Sequence, residues 1–236
     1  GNKFLAATQD NLHLCVVNGE EATSELTFPD LEYSWIQTLV RMDDDTWFAG
    51  TGDKGLWIIK RTGNGMTAAA AGDTTFSNMN VPALVALPGR SLLIATRDEG
   101  AMKAVFSDDF TQMEIVDRYD LHSGLPENNV RVLYRDREEN LWIGLFNKGL
   151  AGVTTNSFAF YKPETNKEIT FIGRVGEQIV AGTRTGLWDF SPETGDFSGF
   201  RPLTTRTGGS GIASSAAHEA MPDPPVRGQA TFQVSV

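Results

Sequence analysis

Apolar residues in this chain come in short runs of four or five, separated by polar turns of three or four residues that usually contain glycine. The clearest case runs from Val130 to Lys162. There VRVLYRD alternates apolar and polar positions, REEN turns, LWIGL is a continuous apolar run, FNKG turns again, LAGVT follows, and FAFYK places Phe158 and Phe160 on one face. Alternation with a period of two marks a strand, whereas a helix needs a run of about ten residues or more to offset its nucleation cost. The pattern predicts four short strands in an antiparallel meander.

The same unit recurs along the chain. Aligned on the residue after the small pair that closes each second run, FLAATQDNLHLCV, WFAGTGDKGLWII, LLIATRDEGAMKAVF, WIGLFNKGLAGV and IVAGTRTGLWDF place Thr8, Thr51, Thr96, Leu145 and Thr183 in one register, at offsets of 43, 45, 49 and 38 residues. A period of roughly 40 to 50 residues made of short strands has the size of one β-propeller blade. The expected fold is therefore all-β, a propeller of four-stranded antiparallel blades. Five blades are visible, at 3–29, 32–76, 82–119, 129–162 and 169–200, within a repeat region 1–203, and the number leaves open a partial propeller.

Three stretches depart from the unit. The first blade lacks its leading strand. The segment KRTGNGMTAAAAGDTT, Lys60 to Thr75, reads as a loop or a degraded fourth strand. Residues 204–230 are rich in Gly, Ser, Ala and Pro and are expected to form a linker or disorder. Then TFQVSV, Thr231 to Val236, alternates again and can either complete the first blade, closing the ring and removing a free edge, or form a frayed tail.

Within the repeat, Ala7, Gly50, Ala95, Gly144 and Gly182 share a register, as expected where strands crowd near a propeller's channel. Gly55, Gly149 and Gly186 fall in the next turn, where positive φ is expected. Trp47 and Trp142 on second strands, and Trp57 and Trp188 on third strands, are expected to be wedges between blades. Trp35 has no counterpart in the other copies.

Composition narrows the function classes. Acidic residues outnumber basic ones by ten, 30 against 20, and they are spread along the chain, so nucleic acid is not an expected partner. Asp43, Asp44 and Asp45 lack the spacing of a calcium loop. The single Cys15 permits no intramolecular disulfide and sits in an apolar run, as an inert thiol would. No apolar stretch reaches the roughly 18 residues of a membrane span, and the sequence opens inside a strand pattern, so a longer natural protein is expected. His13, His122 and His218 lie at no metal-ligand spacing, no G-x-S-x-G follows a strand, and paired carboxylates such as Asp98 with Glu99 sit in turns. Neither catalytic residues, nor a metal, nor a cofactor is expected.

The segment LHSGLPENNVRVLYRDREENLWIGLFNKGL, Leu121 to Leu150, resembles the two-component regulator propeller repeat at Gly124, Leu125, Pro126, Asn128 or Asn129, Val130, Asp136, Leu141, Trp142, Ile143, Gly144, Gly149 and Leu150, and departs from it at Leu145, where that family usually has Thr. DDDTWFAGTGDKGLW resembles it more weakly. The resemblance implies a β-propeller sensor region, periplasmic and ahead of a membrane helix with a histidine kinase or diguanylate cyclase output, and dimeric through the parent receptor. Such propellers often have about seven blades, sometimes in tandem.

In a propeller the lead-in to each blade and the turn between its second and third strands open on one face. Candidate ligand-binding residues on that face are Trp35, Arg97, His122, Asn128, Asn147 and Arg184. Arg97 and Arg184 follow the recurring Thr directly and suit a carboxylate or sulfate. The leading expectation is a non-catalytic sensor of a small molecule, such as a glycan fragment or organic acid. An enzyme on a propeller scaffold, a lyase or glycosidase, and a scaffold for protein partners are the alternatives.

Overall fold

The computed structural model of the chain describes residues 2–63, 65–72, 74–153, 158–161, 168–203 and 232–235. Blade 1 holds β1 (Asn2–Ala7), β2 (Leu12–Asn18) and β3 (Glu21–Thr27). Blade 2 holds β4 (Ile36–Arg41), β5 (Thr46–Thr51), β6 (Leu56–Thr62) and β7 (Gly65–Ala70). Blade 3 holds β8 (Leu84–Leu87), β9 (Ser91–Ala95), β10 (Ala101–Phe106) and β11 (Met113–Tyr119). Blade 4 holds β12 (Val130–Arg135), β13 (Leu141–Leu145), β14 (Leu150–Val153) and β15 (Phe158–Tyr161). Blade 5 holds β16 (Phe171–Val175), β17 (Gln178–Gly182), β18 (Gly186–Ser191) and β19 (Asp196–Pro202).

A last strand, β20 (Phe232–Ser235), pairs antiparallel with β1 from Phe4↔Ser235 to Ala7↔Phe232, giving blade 1 the order β20-β1-β2-β3. Among the described residues the strands thus make five four-stranded antiparallel sheets, the blades of an all-β propeller. Residues 204–230, the expected linker, lie outside the described residues, as do Thr231 and Val236.

Side-chain alternation decides how the blades stack. Every residue of β5 and β9 is buried, because both faces of a blade's middle strands meet a neighbour. Trp47 therefore packs toward blade 1 with Leu5, Leu12 and Ile36, while the next residue, Phe48, packs toward blade 3 with Ile94 and Phe106. Leu93, Val130 and Ile143 fill the space between blades 3 and 4, and Trp142, Ile172, Ile179 and Phe190 that between blades 4 and 5. Each such buried Leu, Ile or Phe contributes about 1.5–3 kcal/mol. The fourth strands lie at the periphery and are largely exposed.

Three sequence expectations change. Trp47 and Trp142 are both wedges but not equivalent ones: pairing of Phe48 with Val40 and of Trp142 with Tyr134 makes Phe48 the counterpart of Trp142, so the two indoles leave opposite faces of their blades. Lys60–Thr75 contains a regular fourth strand, since β7 pairs with β6 from Thr62↔Gly65 to Trp57↔Ala70 and the ladder overrides the weak strand preference of the alanines. Gly55 and Gly149 do have positive φ, 76° and 80°, but Gly186 does not; it is small because a Cβ there would lie 2.4 Å from the Arg201 carbonyl oxygen and 2.5 Å from the Phe200 ring. The crowding expected nearer the channel is present, with a Cβ on Gly50 falling 2.4 Å from the Val81 carbonyl oxygen.

Candidate functional site

The recurring threonine builds the loop face. Buried Thr51, Thr96 and Thr183 each donate from Oγ1 to the carbonyl of Gly55, Gly100 and Gly186, at 2.9, 2.8 and 3.1 Å. Their Oγ1 atoms accept the amides of Lys54 and Glu99 at 2.8 and 2.9 Å in the first two turns. The turn residues between, Arg97 and Arg184 among them, are presented on a fixed base. The Leu145 side chain cannot donate, leaving only its backbone amide on the Gly149 carbonyl, and in blade 4 the Glu127 carboxylate from the lead-in loop accepts the amides of Asn147 and Lys148.

Each lead-in is clamped by two turns. The amides of Ile36, Val81 and Val130 donate to the carbonyls of Thr8, Thr51 and Thr96 of the preceding blade, while the carbonyls of Trp35, Asn80 and Asn129 accept from Gly52, Arg97 and Phe146 of their own blade. Ile36, Val81 and Val130 are fully buried and plug the joints. One residue later the ladder slips: Ile36 pairs with Thr51 but Thr38 with Gly50, and Val130 pairs with Leu145 but Val132 with Gly144. Gln37 and Arg131 are the extra residues of these two bulges, a feature that re-aims a side chain.

Arg131 becomes the centre of a charged cluster drawn from three blades. Its guanidinium stacks 4.5 Å from the centre of the Phe146 ring. Its Nε lies 3.1 Å from Glu168 Oε1, off the direction of the N–H, so that this buried nitrogen pairs in charge but makes no hydrogen bond. Arg184 Nε approaches the other oxygen of the same carboxylate at 3.4 Å. Burial pulls the Arg131 pKa below the ordinary arginine value, Glu168 pushes it back up, Arg97 and Arg184 lower it further, and Glu127 raises it. Two arginines, Arg131 and Arg184, thus share Glu168, while Glu127 accepts two backbone amides. Beside them Asn129 Oδ1 is buried without a hydrogen-bond partner among the described residues.

Of the residues chosen from sequence, Arg97 and Arg184 converge on this cluster, both acting on Arg131 and Arg184 also pairing with Glu168. Trp35 is 48% exposed and lies over Gly52 beside Gln37; Gln37 Nε2 donates to Asn80 Oδ1 at 3.2 Å, and the Asn80 carbonyl accepts the Arg97 amide. Its neighbour Tyr33 is 80% exposed and held at φ 60°. Asn128 is occupied structurally, its Oδ1 accepting the Leu121 amide and its carbonyl the Gly100 amide. Asn147 enters through its backbone amide to Glu127. The His122 side chain is 95% exposed, with Nδ1 3.8 Å from Asp120 in an outlying turn.

Sequence reasoning missed Arg131 and Glu168. The alternation VRVLYRD puts Arg131 at a polar position that reads as solvent-facing, and nothing local signals the bulge; Glu168 follows no repeat pattern. Burial raises the Cys15 thiol pKa, in keeping with an inert side chain. Among the described residues no group of three or more His, Cys, Asp or Glu could hold a metal ion. Two clefts open on the opposite face. One of about 500 Å³ lies between blades 4 and 5, and there Arg174 pairs with Glu138 and Glu177. The other, about 540 Å³, lies between blades 2 and 3, where Arg61 pairs with Asp45. Both clefts are acidic: Asp136, Glu138, Glu177 and Glu193 face Arg174 in the first, and Asp43, Asp44, Asp45, Asp108 and Asp109 face Lys60 and Arg61 in the second.

A family model described as the two component regulator propeller matches residues 124–147, from the lead-in loop through β12 and β13 to the turn tied by Glu127. Over that stretch the chain is similar to a two-component regulator propeller repeat. The matched residues include Glu127, Asn129, Arg131 and Phe146 of the cluster. None of the curated proteins matches the sequence. Among solved structures, the extracellular domain of a proposed one component system from B. thetaiotaomicron is similar with TM-score 0.61 and 18% identity, over 84% of this chain and 28% of that one. The extracellular domain of a proposed hybrid two component system from the same organism gives 0.61 and 14%, over 81% and 27%. The β-propeller domain of Cps50 (Swd1) from Myceliophteria thermophila gives 0.57 and 10%, over 85% and 69%. At these identities the likeness is one of fold, and the chain spans little more than a quarter of the two bacterial domains. No helix among the described residues is long and apolar enough to cross a membrane.

Proposed function

We propose that this propeller is a non-catalytic ligand-sensing or binding module from the extracytoplasmic, periplasmic part of a membrane-anchored bacterial signalling receptor, which it would serve as a homodimer. The observation that carries the reading is the convergence of Arg97, Arg131 and Arg184 from three consecutive blades on the loop face. The regulator-propeller repeat and the fold shared with extracellular receptor domains support the setting. The state of the nearby carboxylates supports binding over acid–base chemistry: Glu127 holds two backbone amides, Asp53 accepts the Ser34 hydroxyl, and Glu168 pairs with arginines. The expected ligand is a small molecule such as a glycan fragment or organic acid.

Thermal unfolding of the purified chain against a panel of glycan fragments and organic acids tests this. A ligand present at 100 times its Kd adds about 2.7 kcal/mol, which for a domain of this size raises Tm by about 5–10 °C. Saturable stabilisation with the ligand recovered unchanged is the expected result. A panel without any stabilising member, or conversion of a ligand to product, rejects the module as described.

A further inference from the structure

We propose that the Arg131 cluster is a binding site for a single oxyanion, the carboxylate or sulfate group of a ligand, with Arg131 as its central contact and Arg97 and Arg184 as flanking cations. The proposal deepens the sensing reading and rests on the loop face being the recognition surface. Arg131 is only 19% exposed on its side chain, yet it sits on the bulge of an innermost strand that turns it out of its ladder. Its Nε is buried and charge-paired with Glu168 at 3.1 Å, while the terminal nitrogens make no hydrogen bond among the described residues and are the donors left for a ligand. Stacking on Phe146 fixes the plane of the guanidinium and leaves its outer edge for two parallel N–H···O bonds, the geometry in which arginine reads carboxylate and sulfate.

The charge arrangement favours the same occupant. Arg97 and Arg184 both act on Arg131, and two carboxylates stand against the three cations: Glu168, paired with Arg131 and Arg184, and Glu127, which also accepts the Asn147 and Lys148 amides. In a chain with ten more acidic than basic residues, a locally cationic point drawn from three blades is a recognition feature that general surface charge does not supply. The Phe146 ring gives the non-ionic part of the ligand an apolar edge to lie against. The ligand class is a small molecule with one strongly acidic group on an otherwise neutral, partly apolar frame.

The test uses sodium sulfate, sodium D-glucuronate and neutral D-glucose as probes of the whole chain, at ionic strength matched with sodium chloride. Binding is read by calorimetry and by the shift in Tm. Sulfate and glucuronate are expected to bind saturably and glucose not at all, with Arg131→Gln weakening the anions about tenfold or more and Arg97→Gln or Arg184→Gln each about threefold. Because Arg131→Gln can disturb the joint between blades, Glu168→Gln provides a second arm. Removing the competing carboxylate should lower Tm yet tighten anion binding several-fold, a combination that a purely structural role does not produce. Equal stabilisation of wild type and Arg131→Gln by sulfate would mean exclusion of the salt from the surface, an adventitious ion only, and would overturn the site. Weaker anion binding in Glu168→Gln would overturn it as well. A neutral ligand that binds wild type and Arg131→Gln alike overturns this proposal while leaving the sensing reading intact, whereas anion binding without any effect of larger ligands does the reverse.

Discussion

Replacing Asp136 tests what holds the joint between blades 4 and 5. Its carboxylate is buried, 7% exposed, and accepts three hydrogen bonds: from the Asn140 amide at 2.8 Å, Asn140 Nδ2 at 2.9 Å and the Trp142 indole Nε1 at 2.9 Å. Hydrogen bonds to a charged group contribute about 1.5–3 kcal/mol each, but the sum overcounts here. Asn140 is exposed and regains water when the carboxylate goes, whereas Trp142 is sealed between Phe190 and Gly152 and its N–H is left without a partner. Asp136→Ala is therefore expected to cost about 3 kcal/mol, dominated by the orphaned indole, and Asp136→Asn, which keeps an acceptor, about 1 kcal/mol. In a Trp142→Phe background the Asp136→Ala penalty should fall by about 1–2 kcal/mol, the coupling between the pair. Urea unfolding followed by tryptophan fluorescence gives all four corners of the cycle, and amide exchange locates the loss in blade 4. A single-mutant cost under about 0.5 kcal/mol, or a coupling of zero, refutes the account.

Two further outcomes follow from local geometry. Gly55→Ala puts a Cβ 1.8 Å from the Phe76 carbonyl oxygen at φ 76°, and should cost roughly 2–4 kcal/mol by chemical denaturation, whereas Gly19→Ala, at φ 66° but with nothing within 4 Å, should cost about 1 kcal/mol; equal losses would show that backbone strain alone matters. The Ser107 hydroxyl, with the Thr111 hydroxyl and amide, lowers the Asp109 pKa from 3.8 to about 2, so this carboxylate's contribution to stability is complete above the unfolded value of 3.8 and is lost as pH falls through about 2. Carboxyl-carbon NMR through an acid titration checks it, and a midpoint near 4 would mean the turn does not hold Asp109 as described.

Strand positions were legible because every blade repeats the same local conflict between a two-residue period and glycine-bounded turns, and the register of Thr51, Thr96 and Thr183 carried through to one shared hydrogen bond. What stayed hidden depends on which face meets which neighbour. Trp47 and Trp142 look interchangeable in sequence, yet a one-residue offset sends them to different joints. Gly186 shares the turn register of Gly55 but answers to the Phe200 ring and not to backbone sign. For the site, Arg97 and Arg184 were visible from their place after the threonine, while Arg131 was concealed by a bulge that no alternation pattern announces and Glu168 by having no repeat to belong to. Asn128 shows that a place on the right face does not free a side chain, since its Oδ1 accepts the Leu121 amide, while His122 is exposed but stands in a separate turn beside Asp120.

The clamped lead-ins imply that the exchangeable unit of this surface is not a blade. Because Ile36, Val81 and Val130 are each fastened to the turn of the blade before, a recognition loop has its foundations in two neighbouring sheets. A chimera cut between consecutive sheets would sever those fastenings and deliver a borrowed loop in the wrong pose. One cut in the turns between first and second strands, so that each turn between second and third strands travels with the lead-in that follows it, would transplant a surface ready to bind. Drift of specificity in such a protein should accordingly move across pairs of adjacent loops, with the joints between sheets inherited as fixed hardware.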